Sequence, residues 1–326
     1  MDTSIEYLGL KLASPIIAGS CVLNDSLDFL KRMEDAGVGA VVLKPIFEEQ
    51  IIFDIKKNTH IVAPVENYGD SYKYVAEHTE DRALEQHFEF IEKAHEVLGV
   101  PLVASINCYS HENWINYAQK FIDAGCSAIE LNLDILPYET SLSCDDVDRI
   151  FGDIIRTMRK ITVAPLAIKV GRNFTDMAKF MQLLSWMGVQ GVTMFNNPAN
   201  FDIDIDKEEV QKASSLTPES ALYEVLRWLS ILKNKMRCDI SAATGVYTGE
   251  DLVKVLLAGA GSAQVVSTLY KNGPDQIKVM NDYLKDWMQR KGYEKIGDFR
   301  GKLSMKESES ASMTLRTSYM KEMMEK

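Results

Sequence analysis

No apolar run among the 326 residues approaches the roughly 20 that a membrane-spanning helix needs. The opening stretch MDTSIEYLGLKL has neither a basic start nor an apolar core, so no secretory signal is expected and the protein is expected in the cytoplasm. Cysteine is scarce: Cys21, Cys108, Cys126, Cys144 and Cys238 are odd in number, scattered, and contain no Cys-x-x-Cys pair. That pattern indicates neither a disulfide framework nor a zinc site, so reduced thiols and no metal are expected. Positive charge is in deficit, with a formal net charge of -11 and no basic stripe. Phosphate repulsion then disfavours nucleic acid as a partner, and a small molecule is the expected ligand. There is no internal repeat, no low-complexity tract and no clear linker.

Short β-branched runs recur instead, at residues 15–20, 40–45, 101–107, 128–133, 165–170, 191–196, 238–244 and 263–269. Each is apolar almost throughout, as befits a parallel strand covered on both faces. Amphipathic stretches such as DSLDFLKRMEDAG and TGEDLVKVLLAGAG separate them, and many end in Gly directly before the next run. Eight such units predict an α/β protein whose strands close into a (β/α)8 barrel, a single domain over residues 1–303. No Gly-x-Gly-x-x-Gly follows the first run, which counts against a dinucleotide-binding open sheet. Two connections, 46–80 and 197–217, are long enough to build loops over the C-terminal face of the barrel. The polar, methionine-rich residues 304–326 read either as a terminal helix for self-association or as a loose end.

The ends of the eight runs share one chemistry: Ser20, Lys44, Asn107, Asn132, Lys169, Asn196, Thr244 and Ser267. Taken singly, a polar residue at a strand end is most often a cap or a loop brace. As a ring around one barrel mouth they point to a ligand, because two unpaired interior lysines would be destabilising by several kcal/mol. Asparagines suit amide and imide edges. Thr244-Gly245 and Ser267-Thr268 offer hydroxyl and N–H groups after the last two strands, where barrels commonly hold phosphate. A planar hydrogen-bonding head with a phosphate at one end fits such a ring, and flavin mononucleotide (FMN) is one such molecule.

Over about residues 5–303 the sequence resembles the dihydroorotate dehydrogenase family, FMN enzymes built on a (β/α)8 barrel. KLASPIIAGS is similar to the first-strand motif, bringing Gly19 and Ser20 to the flavin. AGVGAVVLKP and PLAIKV carry Lys44 and Lys169 where the family keeps flavin-contacting lysines. IELNL matches the Leu-Asn-Leu strand, whose asparagine, here Asn132, touches flavin and substrate. TMFNNPAN supplies Asn196 and, beside it, Asn197; ATGVYTGEDLVKVLLAGA resembles the phosphate turn, with Gly245 retained. YEKIGDFRGKL at 293–303 is close to the C-terminal signature. The resemblance implies FMN, a homodimer, hydride transfer from a C–H bond to flavin N5, Lys169 stabilising charge near N1, and Asn132 and Asn196 orienting the substrate.

Departures are equally specific. After Leu-Asn-Leu the cytoplasmic enzymes continue Ser-Cys-Pro-Asn, the cysteine being the base; here Asp134, Ile135, Leu136 and Pro137 follow. A hydrocarbon cannot accept a proton. Asp134 is the first candidate to replace it, the other reading being a loop residue that caps backbone N–H groups. The Asn-x-x-Gly loop corresponds to ENYGD, with Glu66 in the aligned place and the substrate candidate Asn67 displaced by one; Glu66 is a further candidate base. A Gly-Gly pair is missing from QKASSLTPES, and Gly-Thr of the eighth strand becomes Val266-Ser267. Cys144 reads either as a relocated nucleophile or as a helix start, and Cys21 as a core or flavin-adjacent thiol. His111 is expected to open the third barrel helix, and Tyr68 and Tyr109 to line the mouth. Three functions follow: an FMN dehydrogenase acting on dihydroorotate or another small cyclic substrate, a flavin protein exchanging electrons with a partner, or a barrel that has lost flavin. No iron–sulfur motif is present, so coupling to quinone or NAD would require an electron-transfer partner protein.

Overall fold

A computed structural model describes residues 1–59, 83–109, 115, 117–133, 135, 140–197, 200–306 and 310–324. Asp134, Leu136, Pro137, Glu66, Asn67, Tyr68 and His111 lie outside the described residues.

Eight parallel strands fall on the expected runs: β3 (Ile16–Ala18), β4 (Ala40–Val42), β6 (Leu102–Cys108), β7 (Ala128–Leu133), β8 (Leu166–Val170), β9 (Gly191–Met194), β12 (Asp239–Ala243) and β13 (Ser262–Val265). They pair in the order β4-β3-β13-β12-β9-β8-β7-β6, and pairing of β4 with β6 closes the barrel. Helices surround it, as expected of an α/β (β/α)8 fold. Helix Cys144–Ile161 shows how the sequence makes one. Ser143 caps its first turn with a reciprocal Asp146 bond, Arg159 and Lys160 occupy its last turn, and Val147, Phe151, Ile154, Ile155 and Met158 form one buried stripe. Helix Gly249–Ala258 stops at Gly259, whose φ of 121° a side chain would strain, and the chain turns directly into β13.

Alternation along the strands sorts side chains into two sets. Ile129, Leu131, Leu133, Leu166, Ile168 and Val170 face outwards into the main core beneath the helices. Ala128, Ala167, Ile17, Ala40, Val42 and Val103 face inwards and pack on Tyr7, Leu8 and Leu12. These last three come from an antiparallel hairpin, β1 (Ile5–Tyr7) and β2 (Leu10–Leu12), which plugs the N-terminal end of the barrel.

Two expectations are revised. The connection 197–217 is not a bare loop: β10 (Phe201–Asp204) and β11 (Glu209–Lys212) form a projecting hairpin. Ser267 and Thr268 do not end the eighth strand, which stops at Val265; they open the short helix Ser267–Asn272. At the other long connection a short strand, β5 (Ile46–Phe47), pairs with the end of β6 and leads into helix Glu48–Thr59. Residues Ala311–Met324 are helical and contain no buried residue.

Leu8 is 1% exposed at the centre of the plug. Leu8→Ala should therefore destabilise the fold by about 2–5 kcal/mol, read as a lower urea midpoint with an unchanged denaturant slope.

Candidate functional site

At the C-terminal end of the barrel lies a cavity of about 430 Å³, lined among others by Ser20, Lys44, Lys169, Asn196, Asn197, Thr244, Gly245 and Ser267. It thus gathers residues from six barrel strands or the turns that follow them. Four expected residues, Gly19, Asn107, Asn132 and Thr268, do not line it.

The floor is built by register. Asn107, Asn132, Lys169 and Thr193 are successive partners across β6, β7, β8 and β9, so they form one level of the barrel. Two residues before Asn132 on the same face, Glu130 is buried. Its Oε2 accepts from Thr193 Oγ1 at 2.7 Å and from Gln264 Nε2 at 2.5 Å. Its Oε1 lies 3.9 Å from Lys169 Nζ, and Lys169 is itself only 11% exposed. Among the described residues, three buried oxygens on this floor, Glu130 Oε1, Asn132 Oδ1 and Gln264 Oε1, have no hydrogen-bond partner. Buried acceptors of this kind are uncommon, and together with an ammonium they suit a ligand edge that alternates N–H and C=O groups.

The rim is tied more loosely. Lys44 Nζ meets Asp25 Oδ2 at 2.8 Å, with both side chains more than a third exposed. The expectation that both lysines need a ligand as counter-charge is therefore corrected, since each has a carboxylate within the protein: Asp25 for Lys44 and Glu130 for Lys169. Ser20 donates to the Leu43 carbonyl at 2.7 Å and Thr244 to the Phe195 carbonyl at 2.8 Å. Thr268 is fully buried and donates to the Tyr247 carbonyl at 2.9 Å. Ser267 Oγ accepts from Thr217 N at 3.1 Å, and Tyr247 donates to the Thr217 carbonyl, so the stretch returning from the β10–β11 hairpin is pinned over the cavity. With these hydroxyls engaged inside the chain, an anion held here would rest chiefly on backbone N–H groups. Thr244 and Gly245 both have a φ of 80°, and a Cβ on Gly245 would sit 2.4 Å from Leu222 N, so only glycine fits at 245. Asn197 is a brace, bonded to the Ser215 carbonyl at 3.5 Å and approached by Arg172 at 3.4 Å. Gly19 packs against β13, where a Cβ would meet Val266 at 2.7 Å.

Cys21 also lines the cavity, and burial pushes its thiol above the ordinary value. Cys144 is the exposed first residue of its helix, as the helix-start reading expects. Tyr109 is exposed and outside the cavity lining. Ile135 is 7% exposed and belongs to the main core. Gln264, Lys212, Thr217 and Tyr270 line the cavity without having been singled out from sequence. Gln264 and Glu130 each left a signal, a polar residue within an apolar run and on the inward face. The others arrive with the β10–β11 connection and the short helix Ser267–Asn272 and carry none. Among the described residues no group of His, Cys, Asp or Glu is arranged to hold a metal, and no helix is long and apolar enough to cross a membrane.

The family model described as dihydroorotate dehydrogenase matches residues 64–288. The chain belongs to the dihydroorotate dehydrogenase family. Similar curated proteins include the dihydroorotate dehydrogenase B (NAD(+)) catalytic subunit of Thermoplasma acidophilum, 23% identical over 92% of this chain and 98% of the relative. The protein of the same name from Methanocaldococcus jannaschii is 24% identical over 86% of this chain and 92% of its own. Arabidopsis thaliana chloroplastic dihydropyrimidine dehydrogenase (NADP(+)) is 24% identical over 92% of this chain and 76% of its own. Identities this low leave room for the departures at 134–137 within a retained family frame.

Burial makes the cysteines separable. With limiting iodoacetamide at neutral pH, Cys144 should label first, while Cys21, Cys108 and Cys126, whose thiols burial holds protonated, should label at least about tenfold more slowly by mass spectrometry. Fast labelling of Cys21 would reveal an activated thiol at the cavity.

Proposed function

We propose that this chain is an FMN-dependent oxidoreductase that oxidises dihydroorotate or a related small cyclic amide. The observation that carries the reading is Lys169 and Gln264 together in the cavity lining, with Asn132 beside Lys169 in the barrel register, while among the described residues Gln264 Oε1 and Asn132 Oδ1 lack partners. That set fits the imide edge of a flavin ring, and the left-handed Thr244–Gly245 turn in the cavity lining fits a phosphate held by backbone N–H groups. Bound at this site, FMN would supply a two-electron acceptor for a substrate hydride. The residues supply the rest. Lys169 places a positive charge where negative charge grows on reduction, and Asn132 and Asn196 orient the substrate. The Lys44–Asp25 pair orders the rim, and the pinned 212–217 stretch excludes water from one side. Proton removal from the substrate is assigned to Asp134. The relatives named as catalytic subunits support a separate electron-transfer partner protein, and family membership supports a homodimer.

One observation favours a second reading. At the position of the family base stands a buried isoleucine, Ile135, so a flavin carrier that exchanges electrons with a partner, without removing a substrate proton, fits the same floor.

The purified chain should be yellow, with flavin absorbance lost on denaturation and regained on reconstitution with FMN. Anaerobic dihydroorotate, with dihydrouracil in parallel, should bleach it, and Lys169→Ala should slow bleaching on the order of 100-fold. Bleaching by neither compound selects the carrier reading. A chain that never takes up FMN, or a Lys169→Ala variant with unchanged flavin content and reduction kinetics, overturns the assignment.

A further inference from the structure

Glu130 is 1% exposed inside the barrel, and its carboxylate is immobilised from two other strands, by Thr193 of β9 and Gln264 of β13. Both donors converge on Oε2, so Oε1 faces Lys169 alone. The separation of 3.9 Å exceeds hydrogen-bond length, yet Coulomb attraction falls off only as 1/r and remains strong in a water-poor interior. Lys169 is thereby attracted to the floor without giving up an N–H, and among the described residues its ammonium makes no hydrogen bond. The Lys44–Asp25 pair at the rim has the shorter contact but is screened by solvent, so it contributes less to the field in the cavity.

We propose that Glu130 is the positioning residue and counter-ion of Lys169: held by Thr193 and Gln264, it keeps the ammonium at the cavity floor and cancels its net charge, and so sets the reduction potential of the electron carrier bound above. The proposal rests on the FMN reading of the site. In wild type the floor offers hydrogen-bond donors with almost no net charge. Glu130→Gln leaves a bare positive charge that favours the reduced, more negative carrier. Lys169→Met leaves a bare negative charge and disfavours it. The double variant is neutral again.

The test titrates wild type, E130Q, K169M and E130Q/K169M, reconstituted with FMN, against reference dyes under argon. E130Q should favour the reduced form about tenfold, roughly +30 mV for a two-electron couple, with K169M moving the other way and the double variant within about threefold of wild type. Thr193→Val removes one of the two donors to Glu130 but leaves both charges and Gln264 in place, and should shift the potential less than either charge variant does. Single variants that shift in the same direction, or an E130Q that does not shift, overturn the proposal while leaving FMN binding intact. A parallel urea titration of the flavin-free proteins reads the pair without any carrier: each single variant should lower the folding constant at least about tenfold and the double should regain most of that loss. Additive losses, or a double variant that fails to fold along with the singles, overturn it; a double variant that folds where a single does not supports it. Wild type that takes up no FMN removes the functional reading and with it the role in setting a potential, and the unfolding cycle then decides the ion pair by itself.

Discussion

Glu130 has 1% of its side chain exposed at the centre of a parallel barrel, and an unpaired carboxylate in that position would be destabilising by several kcal/mol. Its partners come from three other strands: Lys169 on β8, Thr193 on β9 and Gln264 on β13. Each strand must therefore hold its register, because a slip of one residue would turn the partner outwards and leave the carboxylate alone. Pairing of Asn132 with Lys169 and of Lys169 with Thr193 expresses the same constraint along the sheet. The polar floor and the strand order of the barrel are two views of one requirement.

The interior is graded as a consequence. At the N-terminal end, the β1–β2 hairpin drives Leu8 and Leu12 among small and branched side chains, with the Leu8 N–H held by Asp239. Midway, Ser241 and Ser262 bond to each other beside the Glu130 cluster. Only above that level does the cavity open. Apolar packing at the closed end supplies stability, which lets the open end carry buried oxygens without partners and a threonine in the left-handed region.

Much of the architecture was legible because parallel strands covered on both faces read as unbroken apolar runs, and eight such runs correspond to the eight barrel strands. The glycine that ends helix Gly249–Ala258 was legible for a local reason, since its backbone demands it. The charge partners were not. Asp25 and Glu130 reach their lysines from 19 and 39 residues away, and nothing in a run of residues states that such distant side chains meet. Asn132 and Lys169 stand near the ends of their runs, where a site is expected, whereas Glu130 and Gln264 lie further down the inward face. Ser267 and Thr268 were misread for another reason: a β-branched, apolar flank continues past the point where β13 ends, and the chain coils into a helix there.

Family membership and the details of the reaction separate at residue 135. The floor residues are locked together by the barrel, so a change at any one of them disturbs the others and the fold with them. The segment after β7 has no such obligation. Ile135 is packed in the main core and absent from the cavity lining, so its side chain serves packing. An ionisable group introduced at that position alone would be buried among hydrocarbon and would itself need a partner. A divergent member can thus keep the polar floor intact while the segment after β7 changes, because Glu130 and its three partners tie the floor to the fold.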